Sequence, residues 1–331
     1  MRSARFRPLL FGLAVVTAAT ALLPIVVGAL VTSHKAGMAF PDWPTSDGQG
    51  MFAYPWLKSA GDKFIEHGHR LAGILIGCVS IVFAAACFTL EPRRWVRWCG
   101  GGVLLAVITQ GLLGGGRVLA DARALAMVHG ATAALVFTFM SSVALVLGRN
   151  WNRPPVLPAG RRLGALKILV VLTPLVLMLQ YGLGGLARHL GTALYAHVGT
   201  AFLALGCILA TLIVAHRTRI GWLRRPAWLL AAAALAQVLL GAAGWVAKFG
   251  YAPWGYVAVE RSPLQITLLT SHTVVGMLLV MLSINLFLRV TRIEWCRRAT
   301  GRPVERAATS VAASVLVSNV LAPPVLEGSL R

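Results

Sequence analysis

Acidic residues are scarce in this 331-residue chain: ten Asp and Glu stand against 31 Lys and Arg, for a formal charge of +21. Charged residues of both signs make up only 12% of the sequence, whereas 57% is hydrophobic and the mean hydropathy is +0.75. A soluble domain carries about twice that share of charge, so the composition excludes one and indicates a protein that crosses a membrane repeatedly. Cysteine is missing where an outer disulfide would need it. The five cysteines, Cys78, Cys87, Cys99, Cys207 and Cys296, lie in apolar runs or on the basic side of the chain, and none falls in a loop of the other side. The positive charge is not accompanied by any base-reading or stacking motif, which argues against a nucleic acid partner.

Long apolar runs, by contrast, are abundant. A hydrocarbon core of roughly 30 Å takes about 20 apolar residues per helix. Eight stretches qualify: 9 to 31, 66 to 90, 99 to 116, 124 to 148, 166 to 187, 190 to 215, 227 to 247 and 263 to 288. Basic residues alternate in the segments between them, with 22 of the 31 on one side, including Arg2, Arg5, Arg7 and all those from Arg289 onward. The bias of cytoplasmic loops toward Lys and Arg then puts that side, and both termini, in the cytoplasm of a cell inner membrane. The first run follows a basic start but is longer than a signal peptide's apolar core and has no small-residue cleavage site before Ser33, so it is read as a retained helix. The expected fold is all-α and polytopic, with eight transmembrane helices.

The segment RNWNRPPVLPAGRRL, 149 to 163, is rich in Pro and Arg and continues neither neighbouring helix. It divides the chain into an N-terminal four-helix half (1 to 148) and a C-terminal four-helix half (164 to 290), followed by a cytoplasmic tail (291 to 331). Each half has an even number of spans, so both start inside and run in the same sense, as parallel repeats related by an axis along the membrane normal. A repeated motif supports this: QGLLG (Gln110 to Gly114) in the third span, QVLLG (Gln237 to Gly241) in the seventh, and the looser QYGLG (Gln180 to Gly184) in the fifth. Glycine here costs helix propensity. It fits either close packing of helices or the approach of a flat prosthetic group to the backbone.

Four histidines occupy equivalent places. His69, His129, His197 and His272 lie in the second, fourth, sixth and eighth spans, each within two to three turns of the outer entry, while His34, His67, His189 and His216 fall in loops or at helix edges. Ionisable groups inside a membrane are rare and usually functional, and four at one depth read as metal ligands in two pairs, His69 with His129 and His197 with His272. Zinc would want further Cys or Asp ligands nearby. Two imidazoles facing each other across a bundle with small residues around them suit bis-histidine haem. Arg70, Arg117, Arg123, Arg188 and Arg261, at the outer ends, fit either haem propionates or lipid headgroups. Glu66 breaks the symmetry: it precedes His69 by three residues, one turn away on the same face, whereas Leu194 and Leu269 stand at the matching places before His197 and His272. It can pair with Arg70 at i+4, or it can make one half reactive and leave the other to hold a cofactor.

These residues bring the chain close to a known family. It resembles haem A synthase, the membrane enzyme that oxidises a methyl group of haem O to the formyl group of haem A. The resemblance spans roughly residues 10 to 290 and rests on EHGHR (66 to 70), on GALVTSHKAGMAFPDWP (28 to 44), and on His129, His197 and His272. It implies that the N-terminal half takes haem O as substrate at His69, His129 and Arg70, and that the C-terminal half keeps haem B on His197 and His272. It implies Glu66 as the catalytic group, and haem O synthase, cytochrome oxidase assembly factors and an electron donor or acceptor as partners. One departure stands out. Many members flank the Pro-Asp-Trp-Pro element with two cysteines, and here Phe40 and Ser46 occupy those places. The Pro41 to Pro44 turn and Phe52, Tyr54 and Trp56 are the expected substitutes for their rigidity. Two rival readings remain: a di-haem membrane cytochrome carrying electrons to or from quinol, which needs the histidines but not Glu66, and a transporter, for which the odd-numbered spans offer few polar groups.

Overall fold

The computed structural model describes residues 6–155 and 163–300. The centre of the expected linker and the tail beyond 300 lie outside the described residues. Eight long helices form, with no β-strand among the described residues: α1 (Pro8–Ser33), α2 (Gly61–Leu90), α3 (Arg94–Leu119), α4 (Arg123–Leu147), α5 (Gly164–His189), α6 (Leu194–Arg217), α7 (Gly221–Phe249) and α8 (Pro263–Thr300). All eight are long and apolar enough to cross a membrane. They overrun the apolar stretches because polar residues at the ends, such as Asp62 to Glu66 in α2 and Arg94 to Trp98 in α3, continue the backbone hydrogen bonding into the interfacial zone. α8 carries its polar residues beyond the span, running to Thr300, well past the expected end near 288.

The order of packing follows the repeat. Within α1–α4 each helix touches the next and α4 closes back on α1; α5–α8 form the same ring, with α8 closing on α5. The rings meet through α4 against α8, α1 against α8 and α4 against α5. Exchanging the halves leaves that set of contacts unchanged, as expected for parallel repeats about one axis.

Large apolar side chains such as Leu105, Phe202 and Leu239 point outward and are more than half exposed. In water that surface would be a liability, but in lipid it is the solvent-facing side. Association then depends on close approach of backbones and on interhelical polar contacts. Gly100 against Cys87, Thr173 against Thr211 (2.9 Å), and Asn285 against Ser141 (2.8 Å) and Ser142 (3.3 Å) are such contacts. The four histidines all lie near the start of even-numbered helices, and hence at the end of the bundle opposite Pro8 and the linker.

Candidate functional site

The fold brings the histidines together in the two pairs that the repeat suggests. His69 and His129 face each other with ring centroids 6.2 Å apart and planes at 90°; for His197 and His272 the values are 6.1 Å and 77°. Two metal–imidazole bonds of about 2 Å, plus ~1.2 Å from each nitrogen to its ring centre, require about 6.4 Å, so each pair has the span of one axially ligated iron. Among the described residues no three His, Cys, Asp or Glu side chains converge on one point. The donors thus suit a planar group that supplies the other four ligands, as haem does, better than a tetrahedral ion.

Each imidazole sits on a glycine of the preceding odd-numbered helix. A Cβ on Gly28 would lie 2.8 Å from His69 Cε1, and on Gly114, Gly184 and Gly241 it would lie 3.0 Å from Cε1 of His129, His197 and His272. Three of these glycines end the Gln-x-x-x-Gly motifs, so the motif's glycine is the seat of an imidazole. The residue four before the glycine meets the ring nitrogen. His197 Nδ1 donates to the Gln180 carbonyl at 3.0 Å, and His272 Nδ1 to the Gln237 carbonyl at 3.2 Å. A carbonyl only accepts, so both rings carry their proton on Nδ1 and leave Nε2 as an acceptor, the form a metal binds; that of His272 takes the Gln237 side-chain amide at 3.2 Å.

In the first half the corresponding backbone carbonyls, of Pro24 and Gln110, lie toward His69 and His129 without bonds of that geometry. His129 Nδ1 faces the Gln110 side-chain amide at 3.1 Å, and His69 Nδ1 is buried without a hydrogen-bond partner. In α1 the place of the glutamine is taken by Pro24. The glutamine side chains also tie helices together: Gln110 and Gln180 donate to the carbonyls of His129 (2.7 Å) and His197 (2.8 Å) and accept from Thr132 and Thr200. These glutamines act in support of the histidines, a role that the repeated motif signalled and that sequence reasoning did not assign.

Glu66 and Arg70 are turned toward the loop of residues 34–60. Glu66 is 1% exposed; its Oε1 takes a 2.9 Å bond from Arg70, and its Oε2 takes the backbone N–H of Ala39 (2.7 Å) and Phe40 (3.3 Å). Arg70 also donates to the carbonyls of Asp42 (2.9 Å) and Thr45 (2.6 Å) and lies over the Phe40 ring. Phe40 and Ser46, at the places where resembling chains carry cysteine, are both fully buried. Phe40 packs edge-on against Tyr54, and Ser46 bonds His67 Nδ1 at 3.0 Å. His67, expected as an unremarkable helix-edge residue, is fully buried under the loop instead. Of the aromatics expected to stiffen the loop, Tyr54 and Trp56 do so, Trp56 by stacking on Phe64, while Phe52 is 82% exposed. Trp43 lies against Gly115 of α3, where a Cβ would overlap its indole.

The five outer arginines part company. Arg70 serves the loop. Arg188 spends its donors on α1 and α8. Arg123 and Arg261 are exposed. Arg117, half-buried against Gly37, donates no hydrogen bond among the described residues and faces the first-half histidines.

A family model described as "Cytochrome oxidase assembly protein", COX15-CtaA, matches residues 11–198, more than half of the chain and the stretch that contains Glu66, His69, His129 and His197. Curated relatives named Heme A synthase match as well. That of Methylobacterium radiotolerans is 29% identical over 140 residues, covering 40% of this chain and 38% of the relative. That of Methylobacterium nodulans is 30% identical over 102 residues, 28% of each chain. That of Cereibacter sphaeroides is 33% identical over 119 residues, 31% of this chain and 30% of the relative. The matched stretches thus span between about a quarter and two fifths of the relatives' lengths.

Proposed function

The chain belongs to the COX15-CtaA family of cytochrome oxidase assembly proteins, and from that membership and its two facing histidine pairs we propose that it converts haem O to haem A. The observation that carries this reading is the asymmetry around equivalent pairs: a buried carboxylate, Glu66, and a clamped loop stand over His69 and His129 only. His69 and His129 hold the substrate haem O, and His197 and His272 hold haem B. The names of the relatives support synthesis of haem A over the quinol-linked cytochrome, which has no use for Glu66.

The change at the substrate is two successive two-electron oxidations of one methyl carbon: each breaks a C–H bond, forms C–OH with the oxygen of a water, and releases two protons to solvent and two electrons to a one-electron acceptor outside the chain, after which the hydrated aldehyde loses water to leave the formyl group. Haem B, when bound, supplies a one-electron relay. The rest belongs to the chain. His69 and His129 fix the porphyrin plane between α2 and α4. Arg117, the half-buried cation with unused side-chain donors, meets a propionate, the part expected of Arg70, whose own donors go to Glu66 and the loop of residues 34–60 and keep that loop closed above the site. Glu66, fixed by Arg70 and two backbone N–H groups, holds a negative charge in a dry site, where it favours positive charge on the macrocycle during oxidation.

We place both termini in the cytoplasm of the cell inner membrane and the histidine end at the outer face. Reporters fused after residues 160 and 255 should be active in the periplasm only at the second. The deciding experiment for function is extraction of pigment from the protein produced in cells that make haem O but lack haem A. Haem A alongside haem B is expected. Haem B alone, filling both sites, would overturn synthesis in favour of electron carriage.

A further inference from the structure

Arg188, in the last turn of α5, reaches across the junction of the two halves. One terminal nitrogen donates to the Leu269 carbonyl (3.1 Å) and the Thr273 hydroxyl (2.5 Å) of α8, and the other to the Ala29 carbonyl and the Ser33 hydroxyl of α1, both at 2.9 Å. Ser33 and Thr270 close the network at 2.9 Å. Ala29 adjoins Gly28, the seat of His69, and Thr273 adjoins His272. Two turns earlier on the same helix, Tyr181 reaches the Gly130 carbonyl, next to His129, at 3.4 Å, and its ring lies near Gly276, one turn beyond His272. All four acceptors of Arg188 are neutral, and among the described residues no carboxylate pairs with it.

A guanidinium inside a membrane bundle is costly. Lipid headgroups do not account for this one, because its terminal donors point inward and are already used. The same commitment argues against a propionate. Its planar fork suits it to hold two helices in one relation, which a lysine's single ammonium does not do equally.

We propose that Arg188 is a positioning residue that fixes the two histidine pairs relative to each other and places one uncompensated positive charge between them. This rests on the reading that each pair holds a haem. Two consequences follow. The charge favours the reduced state at both sites, and the bridge makes binding in one half sensitive to the ligands of the other, a reciprocal coupling that commonly amounts to about 5-fold or more in affinity.

The test uses the full chain, purified with its pigments, as native protein, R188Q, R188K and, as a control for net charge, R217Q at the far end of the bundle. Redox titration of the native protein and R217Q should give the same midpoint potentials, with both midpoints lower in R188Q and close to native in R188K. Haem O affinity is measured next with and without His272→Ala. That substitution should weaken first-half binding several-fold in an otherwise native chain and leave it unchanged in R188K. Native midpoints in pigmented R188Q, or undiminished coupling in R188K, would overturn the role of Arg188. Absence of two bound haems in native protein would instead overturn the reading beneath it. If R188Q fails to insert, Thr273→Val and Ser33→Ala each remove one acceptor, and intact coupling in both would equally sink the proposal.

Discussion

The two halves share a ring of four helices and a facing pair of histidines, and they differ in where rigidity is placed. In the second half it lies around the imidazoles: backbone carbonyls of Gln180 and Gln237 hold both in the metal-binding tautomer, and the loop above, residues 250–262, is held by a bridge between Tyr251 and Tyr256, the Arg261 N–H on Gln265 and the exposed pair of Glu260 with Lys35. In the first half the corresponding carbonyls of Pro24 and Gln110 approach the imidazoles without bonds of that geometry, and rigidity lies in the loop of residues 34–60, fastened by Glu66, Arg70, Phe40, Ser46 and His67. Outer partners that orient a metal-bound histidine typically change metal affinity by 10–100-fold. A site with them suits a resident group, and one without them, under a clamped lid, suits a group that must leave.

The largest effect that would break this comparison concerns Glu66. Glu66→Gln keeps size and hydrogen bonding but removes the charge. Loss of a positioned acid–base or charge-stabilising group commonly costs 10²–10⁴-fold in rate. Haem A output should fall by about that much, while haem B content stays native and haem O still binds. Normal output would reduce Glu66 to an anchor of the loop and leave the halves chemically equivalent.

The glycine seats separate the halves next. Gly184→Ala sets a Cβ against His197 and should remove most of the low-spin haem B absorbance while haem O binding survives. Gly28→Ala should do the reverse, weakening haem O binding by about tenfold and sparing haem B. Equal losses of both pigments from either variant would show that the pairs do not act as separate sites.

A third substitution tests the lid. Arg70→Met leaves the Glu66 carboxylate buried without its cation, a change that costs about 3–5 kcal/mol when a buried pair is broken. Because the pair also holds the loop, the Ala39 and Phe40 amides should lose protection from hydrogen exchange and proteases should gain access to residues 41–60, with helices α5 to α8 unaffected. Unchanged exchange would place the loop's stability elsewhere.

How much of this was legible in the sequence differs by physical cause. The eight helices were readable because a membrane imposes length and apolarity on every span. The depth of the histidines was readable because position along a helix fixes depth. Direction around the helix axis was harder. Arg188 and Arg123 sit at the same kind of place at helix ends, yet one turns inward to two neighbours and the other is exposed, since a long flexible side chain takes its direction from tertiary partners. His67 looked like an edge residue because nothing local announces that a loop will fold over it. The Gln-x-x-x-Gly repeats were visible as a pattern, but their meaning needs the adjacent helix, which supplies the imidazole.

The smallest predicted effect lies in the lid itself and has no counterpart in the second half. Asp42 follows the Phe40–Pro41 anchor and accepts from the backbone N–H of Asp47 (3.1 Å) and Gly48 (2.8 Å), closing the turn that carries Ser46. Desolvation raises its pKa, but the Thr45 hydroxyl and these N–H groups outweigh it and hold the carboxyl at about 2, below its ordinary 3.8. A carboxylate held below its unfolded value stabilises the turn fully above that value, and the contribution is lost as pH falls through the folded one, because the open chain binds its proton first. The Gly48 amide should therefore keep its protection from hydrogen exchange at pH 5, lose it progressively between about pH 4 and 2, and lose it at every pH in Asp42→Asn. Glu260 in the loop of residues 250–262 titrates too, its carboxyl held below the ordinary value by its exposed pair with Lys35, but the amides of the turn between Tyr251 and Tyr256 should show no such step in the same window, since backbone groups alone close it. A matching step there would mean that acid loosens the whole outer face, and the contrast between a clamped first half and a plain second one would fail.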